Sequence, residues 1–191
     1  KAGIMKLGVV AALFGGKKLD DALAECRKVG LEAIELPAGA YPGDPWRLGG
    51  IAKDKKALAG LKKKLADHGL EACGIAAHGN PVHPNKRIAA AHRRDLRNAI
   101  LLAAELGTVV GGFSGCPGGC PTDKTPNFVT CPWPDEFAEA ARYQWDEVII
   151  PFWSRENDFA AKYGVKIALE AHPGMVVHSP ADIVRLRKAA G

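Results

Sequence analysis

Four glycines divide this sequence into a regular series of helices and strands. Gly30, Gly69, Gly107 and Gly164 each follow a run with apolar residues at helical spacing, and each comes just before an apolar run typical of a strand. Glycine is favoured directly after a helix because it adopts the left-handed backbone conformation at little cost. The pattern predicts alternating strands and helices, which is typical of a parallel sheet with right-handed crossovers.

Hydrophobic periodicity gives the approximate limits of these elements. Strands are predicted over 7–14, 31–36, 70–78, 108–113 and 165–171. Helices are predicted over about 18–29, over about 54–68, in a long segment ending at Gly107, over 135–163, and from Ser179 onward. Pro151 lies inside the fourth helix and is expected to kink or restart it, because proline has no backbone N–H to donate.

An open doubly wound sheet and a closed barrel both satisfy this order. The segment Phe14-Gly15-Gly16-Lys17 lacks the GxGxxG spacing that binds dinucleotides after the first strand of an open sheet. The long connections also follow strands two, three and four, on the side where a barrel carries its active site. These two features favour a (β/α)8 TIM barrel, of which the chain supplies about the first five βα units.

Length and composition indicate one domain over residues 1–191 and an ordinary globular class, with 47% hydrophobic and 25% charged residues. The net charge of +5 raises the question of a phosphate-binding surface. The main lysine cluster, residues 53–64, shares its helix with Leu58, Leu61 and Leu65, so it is interpreted as a solvated face. With an odd number of cysteines, no signal peptide and no long apolar run, we expect a cytoplasmic protein without membrane contact.

Strand five carries the most informative residues. In Val165 to His172, successive side chains point to opposite faces, so Ile167 and Leu169 share one face with Val165. Glu170 lies on the other face, above the small Ala168, where a barrel would point it inward. A carboxylate there is costly unless it is paired or bound to a cation. The alternative interpretation is an internal salt bridge.

In strands two and three, as in strand five, the alternation of side chains also places ionisable residues on the predicted inner face. Glu35 is expected on the inner face, between Ile34 and Leu36, and His78 is expected on the inner face of strand three, with Cys73 and Ile75 facing outward. Together with Glu170 and His172, Glu35 and His78 are therefore predicted to converge at the carboxyl ends of the strands. Such a group at one rim favours a functional site over isolated structural residues.

Four segments resemble the sugar phosphate isomerase/epimerase family of xylose isomerase-like TIM barrels. They are AHGNPVHP at 77–84, FSGCPG at 113–118, CPWP at 131–134 and, most diagnostic, ALEAHPG at 168–174. The resemblance implies that Glu170 is a ligand of a divalent metal, Mn²⁺ or Mg²⁺ first and Zn²⁺ as a further candidate. It also implies that the remaining ligands come from strands six to eight, so the chain is expected to be the N-terminal portion of the barrel.

The resemblance implies an isomerase or epimerase that removes a proton next to a sugar carbonyl. Glu170 would act as metal ligand and catalytic residue, and Glu35, His78 and His172 would contact the substrate or orient the ligands. A lyase or dehydratase acting on keto-sugars or keto-glycosides uses the same first proton abstraction and stays open as the alternative.

Three further alternatives are weighed against this function. The positive net charge favours an abasic-site endonuclease, but a resemblance to those enzymes implies a histidine ligand at strand four. This sequence has Phe113-Ser114-Gly115 there. Cys116, Cys120 and Cys131 match no standard zinc spacing and are interpreted as reduced. A non-catalytic fragment closing by self-association is the third. We therefore expect a small sugar as substrate, no nucleic-acid partner, and homo-oligomer formation as an open alternative.

Overall fold

The computed structural model describes residues 5–39 and 43–191 and contains a five-stranded parallel sheet with helices between its strands. The strands are β1 (Gly8–Val10), β2 (Ala33–Pro37), β3 (Glu71–Ala77), β4 (Val110–Phe113) and β5 (Ile167–Glu170). The helices are α1 (Leu19–Lys28), α2 (Lys55–Asp67), α3 (Lys86–Leu106), α4 (Asp135–Arg142), α5 (Ile150–Ala161) and α6 (Pro180–Ala190). None of the helices in the described ranges has the length and hydropathy needed to cross a membrane.

The strands lie in the sheet in the order of the chain, β1-β2-β3-β4-β5, and every neighbouring pair is parallel. Ile34, Ile75 and Val110 are fully buried and belong to one hydrophobic cluster with the apolar faces of the helices. The chain winds from each strand to the next through a helix, as the sequence predicts. The carboxyl ends of the five strands consequently lie at one edge of the sheet.

The four glycines end their helices as the sequence predicts. Gly30, Gly69, Gly107 and Gly164 have φ values of 79°, 64°, 68° and 67°. In each case the next residue donates its amide to a carbonyl five residues earlier, as in Leu31 to Cys26 at 2.9 Å and Val165 to Ala160 at 3.1 Å. This is the Schellman arrangement, which satisfies carbonyl groups that a helix end leaves unpaired. The connections on this side of the sheet are therefore short, and the strands begin two or three residues after each glycine.

The first predicted strand is too long. The chain forms a strand only over Gly8–Val10 and continues as a 3-10 helix over Ala11–Phe14, where Leu13 is exposed. An apolar run of this length does not by itself distinguish a buried strand from a helical turn.

The helical segment from Asp135 to Ala161 changes its pitch before Pro151. Between α4 and α5, Tyr143–Ile149 forms a π-helix, and Pro151 then lies in the first turn of α5. Ile149 has helical backbone angles of φ −68° and ψ −55°, so the helix continues through this point although Pro151 has no amide to donate. The predicted kink or restart is thus present as a wider turn rather than a break.

The longer connections all lie at the carboxyl ends of the strands. They join β2 to α2, β3 to α3 and β4 to α4, the last of them covering 114–134. The first, predicted between Pro37 and Gly50, includes residues 40–42, which are outside the described residues. In α/β proteins, the loops at this edge of the sheet usually carry the binding and catalytic residues.

Candidate active site

A cavity of about 190 Å³ opens on the inner face of the sheet, near the carboxyl ends of its central strands. Glu35 of β2, His78 directly after β3, and Glu170 at the end of β5 line it. The sheet explains this convergence, because parallel strands bring side chains of the same phase to one edge. Val109 and Ala168 also line the cavity, as do Cys73, Gly74, Gly111 and Gly112.

Small residues make the room that the Glu35 side chain occupies. A Cβ on Gly111 would lie 3.0 Å from Glu35 Oε1, and one on Gly74 would lie 3.4 Å from Glu35 Cγ. Ala168 is the register partner of Gly111 on the next strand. The Glu35 carboxylate therefore lies over the backbone of β3 and β4 at Gly74 and Gly111. Larger side chains at these two positions would occupy the same space.

A β-bulge corrects the predicted orientation of Cys73. The register between β2 and β3 shifts between Ile34 and Glu35, so that Ile34 pairs with Ala72 while Glu35 pairs with Gly74. Cys73 is the extra residue, and it is exposed and lines the cavity instead of packing outward beneath a helix. Bulges re-aim side chains in this way and are frequent beside active sites. Ile75, predicted to face outward, is buried in the core as expected.

Glu170 and His78 form the central pair of the site. Glu170 Oε2 lies 3.9 Å from His78 Nε2, with 63% of the Glu170 side chain and 17% of the His78 side chain exposed. The carboxylate therefore faces open space at the end of the strand and is not held in a buried internal salt bridge. Ile167 and Leu169, on the opposite face of β5, pack against the core. Glu170 is thus available to a ligand while its strand is anchored from behind.

An aromatic ring that the sequence analysis did not single out organises the two histidines. Phe113 is the register partner of Glu170 on β4. Its ring centroid lies 4.6 Å from that of His78 and 4.3 Å from that of His172. His172 therefore lies against Phe113, with its Nδ1 2.7 Å from the Pro173 carbonyl oxygen, but it does not line the cavity. Alternation along β4 was the available signal, because Phe113 has the phase of Gly111.

The three charged groups of the cavity influence one another. Partial burial raises the pKa of the Glu35 carboxyl above its ordinary value, the nearby His78 lowers it, and the negative charge of Glu170 raises it again. The net direction is upward, so Glu35 holds a proton more readily than an exposed glutamate does. Glu170 has the opposite environment, largely open to solvent. Glu35 is thus the partly buried carboxyl of the cavity and Glu170 the exposed one.

Hydrogen bonds between loops fix the rim of the site. Asn80 Nδ2 donates to the Cys116 carbonyl oxygen at 2.7 Å, and Asn80 Oδ1 accepts from the Cys116 amide at 3.1 Å. The amide of Val177, in the loop after β5, donates to Ser114 Oγ at 3.0 Å. Trp153 Nε1 of α5 donates to the Ser114 carbonyl oxygen at 2.9 Å. The loops after β3, β4 and β5 are therefore held to one another and to a helix behind them.

The part of the chain that the structure describes holds no group of three His, Cys, Asp or Glu side chains arranged to bind a metal ion. Glu170 supplies one exposed carboxylate, and the nearest imidazole pairs with it instead of forming a cage. The five cysteines are all free thiols, and Cys116, Cys120 and Cys131 form no metal cluster among the described residues. Among the described residues, the side chains around the cavity therefore do not form a complete metal site.

A parallel α/β sheet with its ionisable side chains at the carboxyl ends of the strands is the architecture of a barrel-type enzyme. The family model described as xylose isomerase-like TIM barrel matches residues 23–191. The chain belongs to this family. The fold class expected from the sequence is thereby confirmed.

One curated relative is the uncharacterized protein YfiH of Bacillus subtilis (strain 168), which is 31% identical over 192 aligned residues. The alignment covers 98% of this chain and 61% of YfiH. The chain thus spans about three fifths of the length of this relative.

Several solved structures share the fold at low sequence identity. A xylose isomerase-like TIM barrel protein from Mycobacterium smegmatis in complex with magnesium superposes with a TM-score of 0.67 at 17% identity, over 96% of this chain and 60% of that one. A D-tagatose 3-epimerase-like protein gives 0.64 at 20% identity, over the same shares of 96% and 60%. The probable 3-DHS dehydratase AsbF of Bacillus anthracis gives 0.62 at 15% identity, over 97% and 59%. These likenesses show the fold.

Proposed function

We propose that the protein is an isomerase or epimerase of a sugar or keto-sugar, and that it moves a proton on the carbon next to a carbonyl group. The observation that carries the proposal is the approach of Glu170 and His78 to 3.9 Å at the mouth of a cavity that also contains Glu35. An exposed carboxylate, an imidazole and a second, partly buried carboxyl are the groups that acid–base chemistry on a carbonyl compound requires.

The two carboxyl groups have complementary roles in this proposal. Glu170, which is largely exposed, takes the proton from the carbon; the electron pair of that C–H bond forms a C=C bond with the carbonyl carbon, and the π pair of the carbonyl moves to its oxygen. Glu35, whose pKa is raised by burial, is suited to donate a hydrogen bond to the oxygen where charge develops. Transfer of the proton from Glu170 to the neighbouring carbon gives the isomer, whereas protonation of the original carbon from its opposite face, by a second acid, gives the epimer.

The imidazoles position the substrate in the same proposal. His78 faces Glu170 across the cavity mouth, and Phe113 stacks on its ring and restricts its rotation. His172 also contacts the Phe113 ring but does not line the cavity. It would therefore reach only the part of a sugar that projects out of the cavity. We propose that both contact substrate hydroxyl groups.

We also propose Glu170 as one oxygen ligand of a divalent ion, with Mn²⁺ or Mg²⁺ ahead of Zn²⁺. Such an ion would polarise the carbonyl and make the adjacent proton more acidic. The magnesium in the Mycobacterium smegmatis protein supports this assignment. The described residues hold no group of three His, Cys, Asp or Glu side chains that could bind the ion, so the proton transfer proposed above rests on the side chains alone.

The test is solvent-proton exchange with a panel of ketoses and 3-keto-glycosides in D₂O, with Mn²⁺ and with a chelator, followed by NMR and mass spectrometry. The unmodified protein should place deuterium on the carbon next to the carbonyl. Glu170→Gln should abolish exchange, and Glu139→Gln, an exposed glutamate on α4, should not. Equal exchange in the two variants would contradict the assignment of Glu170, and exchange unchanged by chelation would remove the metal.

The same measurement separates the isomerase from the lyase. Both reactions begin with the same proton abstraction, but a lyase expels a group from the adjacent carbon and yields a product of lower mass. The fold of the probable dehydratase AsbF keeps this alternative open. A product of unchanged mass with one deuterium indicates an isomerase or epimerase. For the partners, we propose a small sugar and no nucleic acid.

A further inference from the structure

A cluster of positive charge lies outside the candidate active site, in a groove of about 530 Å³ between α3 and α5. Five cationic side chains line it: Lys53, Arg93, Arg94, Arg97 and Arg155. Glu156 is the only carboxylate in the lining, and it is 3% exposed. Arg97 uses two nitrogens to bind both Glu156 oxygens at 3.0 Å, so this pair is neutral. The other four cations form no salt bridge within the described residues.

The lysine-rich face of α2 provides a contrast. Lys62 pairs with Glu105 at 3.3 Å, Lys63 pairs with Asp67 at 2.7 Å, and Lys64 pairs with Asp20. That face is therefore balanced by carboxylates, as expected for a solvated helix surface. The groove concentrates like charges without such partners, which is unfavourable unless an anion binds between them.

The groove also has features that a ligand pocket needs and a plain charged surface lacks. Arg93 lies over the Phe152 ring at 5.3 Å from its centroid, and Arg97 lies over the Phe159 ring at 4.9 Å. Arg93 Nε donates to the Pro81 carbonyl oxygen at 2.6 Å. These contacts hold two guanidinium groups in place, and Leu101 and Phe159, both partly exposed, provide an apolar wall, whereas Phe152 is 2% exposed. The volume lies in the range of small-molecule sites.

We propose that this groove binds a small phosphate ester that carries a planar or apolar group. The free cations would contact the phosphate, and the apolar wall would contact the attached group. Guanidinium groups bind phosphate through paired, charge-assisted hydrogen bonds, and the fixed orientation of Arg93 reduces the entropy lost on binding. The site is separate from the cavity around Glu170, with which it shares no lining residue.

The test is isothermal titration calorimetry with AMP, inorganic phosphate and a short single-stranded DNA, using the whole chain at low ionic strength. AMP should bind more tightly than inorganic phosphate, because only AMP also contacts the apolar wall. The double variant Arg94→Gln, Arg155→Gln should weaken AMP binding by about tenfold or more, which is about 1.4 kcal/mol or more, because both lost guanidinium groups would contact the phosphate. Neither arginine forms a salt bridge in the described residues, so the variant is expected to fold.

The matched control is Lys62→Gln, Lys63→Gln, which removes the same charge from the face of α2. This control should leave AMP affinity within about twofold of the parent, because exposed charges act weakly at a distance. Equal loss in both double variants would overturn the proposal, since it would show general attraction only. Absence of AMP binding to the parent would also overturn it. Stronger binding of the DNA than of AMP would contradict the proposed small ligand and would indicate a nucleic-acid site.

Discussion

The Ser114 hydroxyl is expected to be a main support of the rim, and Ser114→Ala tests this. Ser114 is fully buried, and its Oγ accepts from the Val177 amide at 3.0 Å and donates to the Gly115 carbonyl oxygen at 3.2 Å. That carbonyl keeps a second partner, the Val176 amide at 3.1 Å. Alanine therefore leaves one buried donor, the Val177 N–H, without a partner. An unsatisfied buried group of this kind costs about 1–3 kcal/mol, and we expect about 2 kcal/mol.

For a chain of this size, that loss corresponds to a decrease in Tm of about 4–8 °C. It should be measured by circular dichroism and by urea unfolding, with faster hydrogen exchange at the Val177 amide. Ser154→Ala is the matched control, because the Ser154 hydroxyl donates at 2.9 Å only to the Ile150 carbonyl, one turn earlier in α5. This control should change stability by less than about 0.5 kcal/mol. Tm values of the two variants that agree within about 1 °C would refute the role of Ser114.

Three further outcomes follow from contacts of single side chains. Gly112→Ala should lower the free energy of unfolding by about 1–3 kcal/mol in urea, because the added Cβ would lie 2.7 Å from the Ala77 carbonyl oxygen. An unchanged free energy of unfolding would contradict the close approach of these two strands. Arg97→Met should cost about 3 kcal/mol by thermal unfolding, because the buried Glu156 loses its partner, and a cost below about 1 kcal/mol would show that water replaces it. The raised pKa of Glu35 means that its ionisation opposes folding, so the stability it contributes is present below its ordinary pKa of 4.5 and lost as the pH rises through the raised value. Glu35→Gln should therefore gain stability relative to the parent as the pH rises above 4.5 in urea titrations, and no relative gain would argue against the burial of this carboxyl.

The order of the elements could be predicted because it depends on local signals. A helix that ends in a left-handed glycine is specified by a few adjacent residues, and Gly30, Gly69, Gly107 and Gly164 all have this conformation. The extent of β1 could not be predicted, because Ala11–Phe14 are apolar whether they form a strand or a 3-10 turn. Their conformation depends on tertiary contacts rather than on local periodicity.

The site was predictable only where the alternation of a strand is regular. Glu35 and Glu170 lie within strands and face the cavity, as their phase requires. The predicted orientation of Cys73 failed because the bulge opposite Glu35 adds one residue; Gly74, a glycine inside the strand, was the local signal for it. His172 lies beyond the end of β5, where alternation no longer applies, and its position depends on its contact with Phe113.

One face of β4 and β5 packs against the core and carries large apolar residues, whereas the other face borders the cavity and carries small ones. These residues alternate along each strand. On β4, Val110 is fully buried in the core, whereas the next residue, Gly111, borders the cavity. On β5, Leu169 packs against the core, whereas Ala168 borders the cavity. A larger residue at either cavity position would occupy the space beside Glu35 without improving the core behind the sheet. The volume of the candidate cavity is therefore set by small residues whose neighbours in the chain hold the sheet in place.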